Sequence, residues 1–310
     1  MRLPIPVIMD CDPGHDDAIA LVLAHASPEI EILAVTTSAG NQTIEKTTLN
    51  ARKVLSFLGS KAPVARGASK PLFRELIIAA EVHGESGLDG PALPEPDSPE
   101  STLSAVELSA ATLLASDRPV TIVPTGALTN VAALLLSHPE LKSKIERISL
   151  MGGSAIGGNW TAAAEFNILV DPEAAHIVFN AGIPVTMCGL DVTHKALVSR
   201  ADTERFRAIG KRCSTMVAEL MDFFVKFHEA NFSFGGSPLH DPCAVAWLIA
   251  PDIFTSRKAH IDVECRGHLS VGATVADFSD RSGPMNVDLV MDLDREQFID
   301  LLEGALRRLD

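Results

Sequence analysis

Apolar runs of strand length recur along this chain with helix-length segments between them. The runs cover residues 6–9, 31–37, 119–123, 145–151 and 184–190, with 63–66 as a shorter one. Helical spacing of apolar or small residues marks 18–24, 43–58, 103–115 and 128–137, and Asp171-Pro172-Glu173 opens a further helix. Strands that are apolar throughout and alternate with helices have both faces covered, which predicts an α/β fold with an open, mostly parallel sheet and helices on both sides. In such sheets ligands bind outside the carboxyl ends of the strands. A chain of 310 residues with 46% hydrophobic content can bury a large core. No internal repeat or low-complexity linker divides it, so residues 1–310 are read as a single domain with insertions.

The final third is less regular. Helices are expected at 202–209, 214–230, 241–249 and 296–309, and strands near 261–265, 271–275 and 287–291. A long Gly- and Pro-rich segment from 69 to 101 contains His83-Gly84-Glu85-Ser86-Gly87-Leu88-Asp89-Gly90. Loops of that length inside a compact fold are usually functional or disordered, and the central His among glycines favours function.

Polar residues gather where the strands end. After the first strand comes Asp10-Cys11-Asp12-Pro13-Gly14-His15-Asp16-Asp17-Ala18, with four aspartates in eight residues. Carboxylates this close repel one another unless a cation, shared protons or donors compensate them. The helix start that follows also favours negative charge. Helix capping alone accounts for Asp16 or Asp17 but leaves Asp10 and Asp12 unexplained. The direct reading is an oxygen-rich pocket for a hard divalent cation. A second acidic position, His240-Asp241-Pro242, follows a glycine-rich stretch and opens a helix. Taken alone it is better explained as an N-cap with Pro at the first helical position.

Composition narrows the partners. A formal charge of −14 and the lack of any long Lys/Arg cluster argue against nucleic acid and anionic membranes. The N-terminus lacks the regions of a signal peptide, and no apolar run is long enough to span a bilayer. Five scattered cysteines without a C-x-x-C pair point to reduced thiols and a cytoplasmic protein. On an alternating strand Cys11 should face away from Asp10 and Asp12 and serve packing.

The acidic turn closely resembles the N-terminal signature of the nucleoside hydrolases, the inosine/uridine-preferring ribohydrolase family. Further landmarks of that family recur in order: Ala39-Gly40-Asn41, Val82-His83-Gly84, Thr125-Gly126-Ala127-Leu128-Thr129-Asn130, Met151-Gly152-Gly153, Glu165-Phe166-Asn167 and His240-Asp241-Pro242. Leu76-Ile77-Ile78-Ala79 and Val192-Thr193-His194-Lys195 look most like the bacterial pyrimidine-preferring members. The resemblance implies a nucleoside hydrolase-like fold, a tightly bound Ca²⁺, and hydrolysis of the N-glycosidic bond of ribonucleosides, uridine or cytidine foremost, in nucleoside salvage. It assigns Asp12, Asp17, Asp241 and the carbonyl of Thr125 to the metal, and Asp12, touching metal and water, to the general base. Asp16 would bind the 2′-hydroxyl, Asn41 and Asn167 the ribose, and Asn159 with Glu165 the 5′-hydroxyl end. Met151 would pack near the sugar, and Phe166 counts among the substrate contacts. His83 and His240 are the family-pattern groups for the leaving base, either able to titrate near neutrality. Asp10 would orient the other aspartates. Homotetramers, or sometimes dimers, are the family's usual assembly.

One departure bears on specificity. Pyrimidine-preferring members commonly bring a tyrosine to the base from the helix before His-Asp-Pro, and this chain has no tyrosine. Phe223, Phe224, Phe227, Phe232 and Phe234, with His228 among them, occupy that stretch, and most of the stripe is expected in the core. Three other functions compete. A metal-dependent phosphohydrolase would use an Asp-x-Asp after its first strand, but no phosphate-binding motif accompanies it. A non-catalytic nucleoside sensor would have no need of Asp12 and His240. A broad or purine-preferring nucleoside hydrolase differs only in the base it accepts.

Overall fold

The computed structural model describes residues 3–231 and 235–310. Among the described residues eleven strands are seen: β1 Ile5–Cys11, β2 Ile30–Thr37, β3 Val64–Arg66, β4 Val120–Pro124, β5 Ile145–Met151, β6 Val185–Cys188, β7 Leu197–Val198, β8 Ser237–Pro238, β9 Phe254–Val263, β10 Thr274–Asp277 and β11 Val287–Leu293. Nine of them form one sheet in the order β10-β9-β11-β6-β5-β4-β1-β2-β3. From β3 across to β11 every pairing is parallel. At the far edge β9 runs antiparallel to β11 and β10 antiparallel to β9. The mostly parallel sheet is therefore as expected, with an antiparallel margin that periodicity did not reveal.

Alternation along β1 shows how the two faces are filled. Val7, Met9 and Cys11 join a core with the helices His15–Ala26, Arg212–Asn231, Pro242–Ile249 and Arg295–Arg308. Ile8 joins the opposite core with Ala105–Ala115, Thr129–Ser137 and Pro172–Phe179. Cys11 thus points away from Asp10 and Asp12 into packing, as its place on the strand required. No described helix is long and apolar enough to cross a membrane.

Several boundaries move for physical reasons. β9 begins at Phe254 rather than 261, because Thr255, Ser256, Arg257 and Lys258 are exposed on an edge and carry no apolar signal. β10 begins at Thr274; before it Gly272 turns the chain at φ +81°. The segment 69–101 is irregular, yet the helix Ile44–Leu58 and its approach pin much of it. Gln42 donates to the carbonyls of Gly84 and Glu85, Asn50 to that of Ser86, and Arg52 to that of Ser98. Its short helix Ala80–His83 delivers His83 above the carboxyl end of β1.

Candidate active site

The first turn of the helix His15–Ala26 is a knot of carboxylate hydrogen bonds. Asp17 accepts from the Gly14 amide at 3.0 Å, the Asp12 amide at 3.3 Å, the Thr125 hydroxyl at 2.7 Å and the Asn41 side-chain amide at 3.0 Å. Asp17 therefore does cap its helix, but it also ties β1, β2 and β4 together at their carboxyl ends. Asp12 accepts from the Asn41 backbone amide at 2.7 Å through Oδ2. Its Oδ1 is buried and has no partner among the described residues. Gly40 and Gly126 flank this carboxylate so closely that a Cβ at either would collide with it.

Asp241 overturns its simplest sequence explanation. At the N-terminus of Pro242–Ile249 it has helical φ −65° and ψ −38°, and its side chain makes no cap. The carboxylate turns instead toward the acidic turn. Asp16, Asp17 and Asp241 each place an oxygen within 4.8 Å of the others. Asp12 lies outside that trio, yet Asp17 and Asp16 raise its titration and it in turn raises that of Asp241. Burial, reinforced by neighbouring carboxylates, pushes Asp16 up to about 7 and holds Asp12 and Asp241 well above the usual carboxylate range. Four buried carboxylates with one oxygen unpartnered are a donor set that a hard divalent cation satisfies, and among the described residues no imidazole or thiolate joins the cluster as zinc would want.

Burial raises Asp10 to about 6, and its Oδ1 accepts from Thr36 at 2.6 Å and Asn130 at 2.8 Å. Its Oδ2 is buried without a partner among the described residues, and its backbone carbonyl accepts from the Thr125 amide, so it braces the strand ends around the acidic turn.

Above this floor lies a cavity of about 740 Å³. Asp16, Asn41, His83, Thr125, Met151, Asn159, Glu165, Phe166, Asn167, His240 and Asp241 all line it, while Asp12 and Asp17 lie beneath. The lining contains no lysine or arginine among the described residues, so no basic side chain is there to pair with a phosphate. Asn167 donates to the Thr125 carbonyl at 2.7 Å, and Asn41 spends its amide on Asp17, so both stand as braces with a carbonyl oxygen left over. Glu165 is held by the amides of Gly153, Asn167 and Ile168, which caps the helix Phe166–Val170 and fixes its carboxylate. Asn159 accepts from the Phe166 amide.

The opposite wall is aromatic. Phe224, Phe227, His194 and His228 line it, and Trp160 packs on Phe166 with centroids 4.7 Å apart. Phe223 stacks on His15, whereas Phe232 and Phe234 lie outside the described residues. His240 bonds through Nδ1 to the Thr193 hydroxyl at 2.8 Å. Burial first, then neighbouring imidazoles, holds His83 and His240 well below the usual histidine value. Titration near neutrality is thus replaced by two neutral rings, each with one N–H and one lone pair. Trp160, His194 and His228 were not singled out as site residues. Their one sequence signal was position, next to Asn159, inside a family landmark and within the phenylalanine stripe.

The class follows from this arrangement: an open α/β sheet that sinks an acidic cluster able to bind a metal below a cavity suited to an uncharged polar ligand. A sequence model described as inosine-uridine preferring nucleoside hydrolase matches residues 7–300, and the chain belongs to that family. It is an N-ribohydrolase, a glycosidase that takes ribonucleosides to base and ribose. It is 58% identical over 308 residues to the pyrimidine-specific ribonucleoside hydrolase RihA of Escherichia coli strain K12, covering 98% of this chain and 99% of the relative. The RihA of Salmonella typhimurium strain LT2 is 59% identical over the same span. Among solved structures, a purine-preferring ribonucleoside hydrolase from Gardnerella vaginalis superposes with a TM-score of 0.92 at 32% identity, over 97% of this chain and 98% of that one.

Proposed function

We propose that this chain is a calcium-dependent hydrolase of pyrimidine ribonucleosides, releasing uracil or cytosine and free ribose from uridine or cytidine. The observation that carries the reading is the buried floor of Asp12, Asp16, Asp17 and Asp241 beneath a cavity without basic residues. High identity to pyrimidine-specific relatives supports the base preference.

Asp12, Asp17, Asp241 and the Thr125 carbonyl would hold the ion, which when bound supplies positive charge for the ribose hydroxyls and for the attacking water. Asp12, with Oδ1 unpartnered, takes the proton of that water as general base. Asp16 lines the cavity and accepts from the 2′-hydroxyl, and the oxygens of Asn41 and Asn167 face the ribose. Glu165 and Asn159 receive the 5′-hydroxyl end, with Met151 and Phe166 packing against the sugar. As the bond to the base lengthens, C1′ and the ring oxygen gain positive character that these fixed carboxylates stabilise. His83 and His240 offer hydrogen bonds to the departing base. Water's hydroxide ends on C1′, the leaving base gains a proton, and Asp12 returns to solvent the one it took, so the balance is one water consumed per bond cleaved.

We read residues 1–310 as one domain, working as a cytoplasmic homotetramer in nucleoside salvage. The five cysteines, all unpaired, suit a reducing compartment. Broader base tolerance is the second reading, favoured by the close superposition on a purine-preferring enzyme. A reducing-sugar assay over uridine, cytidine, inosine, adenosine and 2′-deoxyuridine, with and without a strong chelator, tests all of this. Ribose release from uridine and cytidine that stops with chelator and returns with calcium is expected. Release from purine nucleosides alone, or release unaffected by chelator, contradicts the proposal.

A further inference from the structure

His15 is fully buried and does not line the cavity, yet it contacts His83, which does. Its Nε2 lies 2.8 Å from the Asp89 carbonyl oxygen. A carbonyl only accepts, so Nε2 carries the hydrogen and Nδ1 of the neutral ring is a lone pair. That Nδ1 is 3.3 Å from Nδ1 of His83. The backbone N–H of the same His15 also points at Nδ1 of His83, again at 3.3 Å.

One atom of His83 therefore faces a fixed acceptor and a fixed donor at the same distance. With a hydrogen on Nδ1 it donates to the His15 ring; without one it accepts from the His15 amide. Either tautomer keeps one hydrogen bond, so neither leaves His83 Nδ1 as a costly buried orphan. The other nitrogen, Nε2, has no protein partner among the described residues and is left for the cavity. The rings are held in register by stacking: His15 on Phe223 at 4.8 Å and on Phe224 at 5.4 Å, and His83 on Phe224 at 5.5 Å. Gly14 is part of the device, since a Cβ there would sit 2.5 Å from His83 Nδ1 and drive the ring away.

Uracil and cytosine exchange donor for acceptor at N3 and at the 4-position. A side chain fixed as a donor pairs with one base and leaves an unpaired group on the other. We propose that His15 is a positioning residue that keeps both tautomers of His83 available, so that His83 meets uracil and cytosine alike by moving a hydrogen between its nitrogens at constant charge. This rests on the pyrimidine reading above.

The test uses the full chain labelled with ¹⁵N-histidine, together with kcat/KM for uridine and cytidine. His15→Phe keeps the stacking and the backbone N–H but removes the ring acceptor; His15→Leu removes the acceptor and keeps the backbone N–H without the stacking, should the first variant fold poorly. His15→Asn restores an acceptor oxygen near the place of Nδ1. In the wild type both His83 ring nitrogens should show shifts intermediate between protonated and bare. In His15→Phe, Nε2 should become the protonated one, and the uridine-to-cytidine ratio should move by about tenfold or more. His15→Asn should keep the wild-type ratio. A wild-type His83 already fixed in one tautomer, or a ratio unmoved in both apolar variants, overturns the proposal. A wild type that cleaves neither pyrimidine nucleoside overturns instead the reading on which it rests.

Discussion

The floor and the aromatic wall of the cavity are built in opposite ways. Three of the four floor aspartates come from six consecutive residues, 12–17, that run from just after β1 into the first turn of its helix, and backbone amides or neighbouring side chains hold two of them, Asp12 and Asp17. The wall is gathered from segments far apart: His83 from a short helix in an irregular stretch, Phe224, Phe227 and His228 from the end of Arg212–Asn231, and His240 from the turn after β8. In the proposed mechanism the floor handles the ribose, which every ribonucleoside shares, and the attacking water. On that reading discrimination between bases falls to the wall. The chain's likeness to a purine-preferring enzyme in fold, and to pyrimidine-specific enzymes in sequence, is the pattern such a division produces.

The largest expected effect tests the floor through the sugar. 2′-Deoxyuridine forfeits the hydroxyl that Asp16 and the cation are proposed to hold, and kcat/KM should fall by about 10⁴-fold against uridine, measured as free uracil. Equal rates would assign the floor some other task.

The wall should matter less and more selectively. His83→Ala or His240→Ala should lower kcat on uridine by about 10²-fold. The same variants should leave para-nitrophenyl β-D-ribofuranoside within about threefold, because its leaving group departs without a proton. An equal loss on both substrates would move these histidines from the base to the reaction as a whole.

The smallest effect concerns the metal-free protein. Asp10 and Asp16 titrate in the fold at about 6 and about 7 against the ordinary 3.8, with burial as the main cause. Between those values the folded chain binds more protons than the unfolded one. The stability they lend is full below pH 3.8 and is lost as the pH climbs to about 7. With chelator present, the unfolding temperature should be lower at pH 8 than at pH 5.5 by roughly 5 °C. Calcium should remove most of that difference by compensating the carboxylates. A flat profile with chelator would mean the floor is not under repulsion.

How much was legible in the sequence follows the same division. The parallel strands and the acidic turn could be read directly, because uninterrupted apolar runs and clustered carboxylates are local signals. Asp241 could be read only through the family resemblance, since Asp-Pro before a helix is by itself ordinarily a cap; the fold adds that its carboxylate turns toward Asp16 and Asp17 instead of the helix amides. The antiparallel edge was partly hidden because the start of β9 is polar and exposed. The neutral state of His83 and His240 depends on burial among other imidazoles, which spacing along the chain does not encode. The link between His15 and His83 joins residues 68 apart and is set by which atom meets which.

The most direct measurement of the central claim is ribose release from uridine by Asp12→Asn with calcium present. Asn keeps the size of the side chain and its hydrogen bond to Asn41 but cannot take a proton from water. The turnover number should fall by roughly 10²- to 10⁴-fold, with the fall repeated on para-nitrophenyl β-D-ribofuranoside because both reactions need the same water. Turnover close to that of the wild type on either substrate would contradict the assignment of Asp12 as the base.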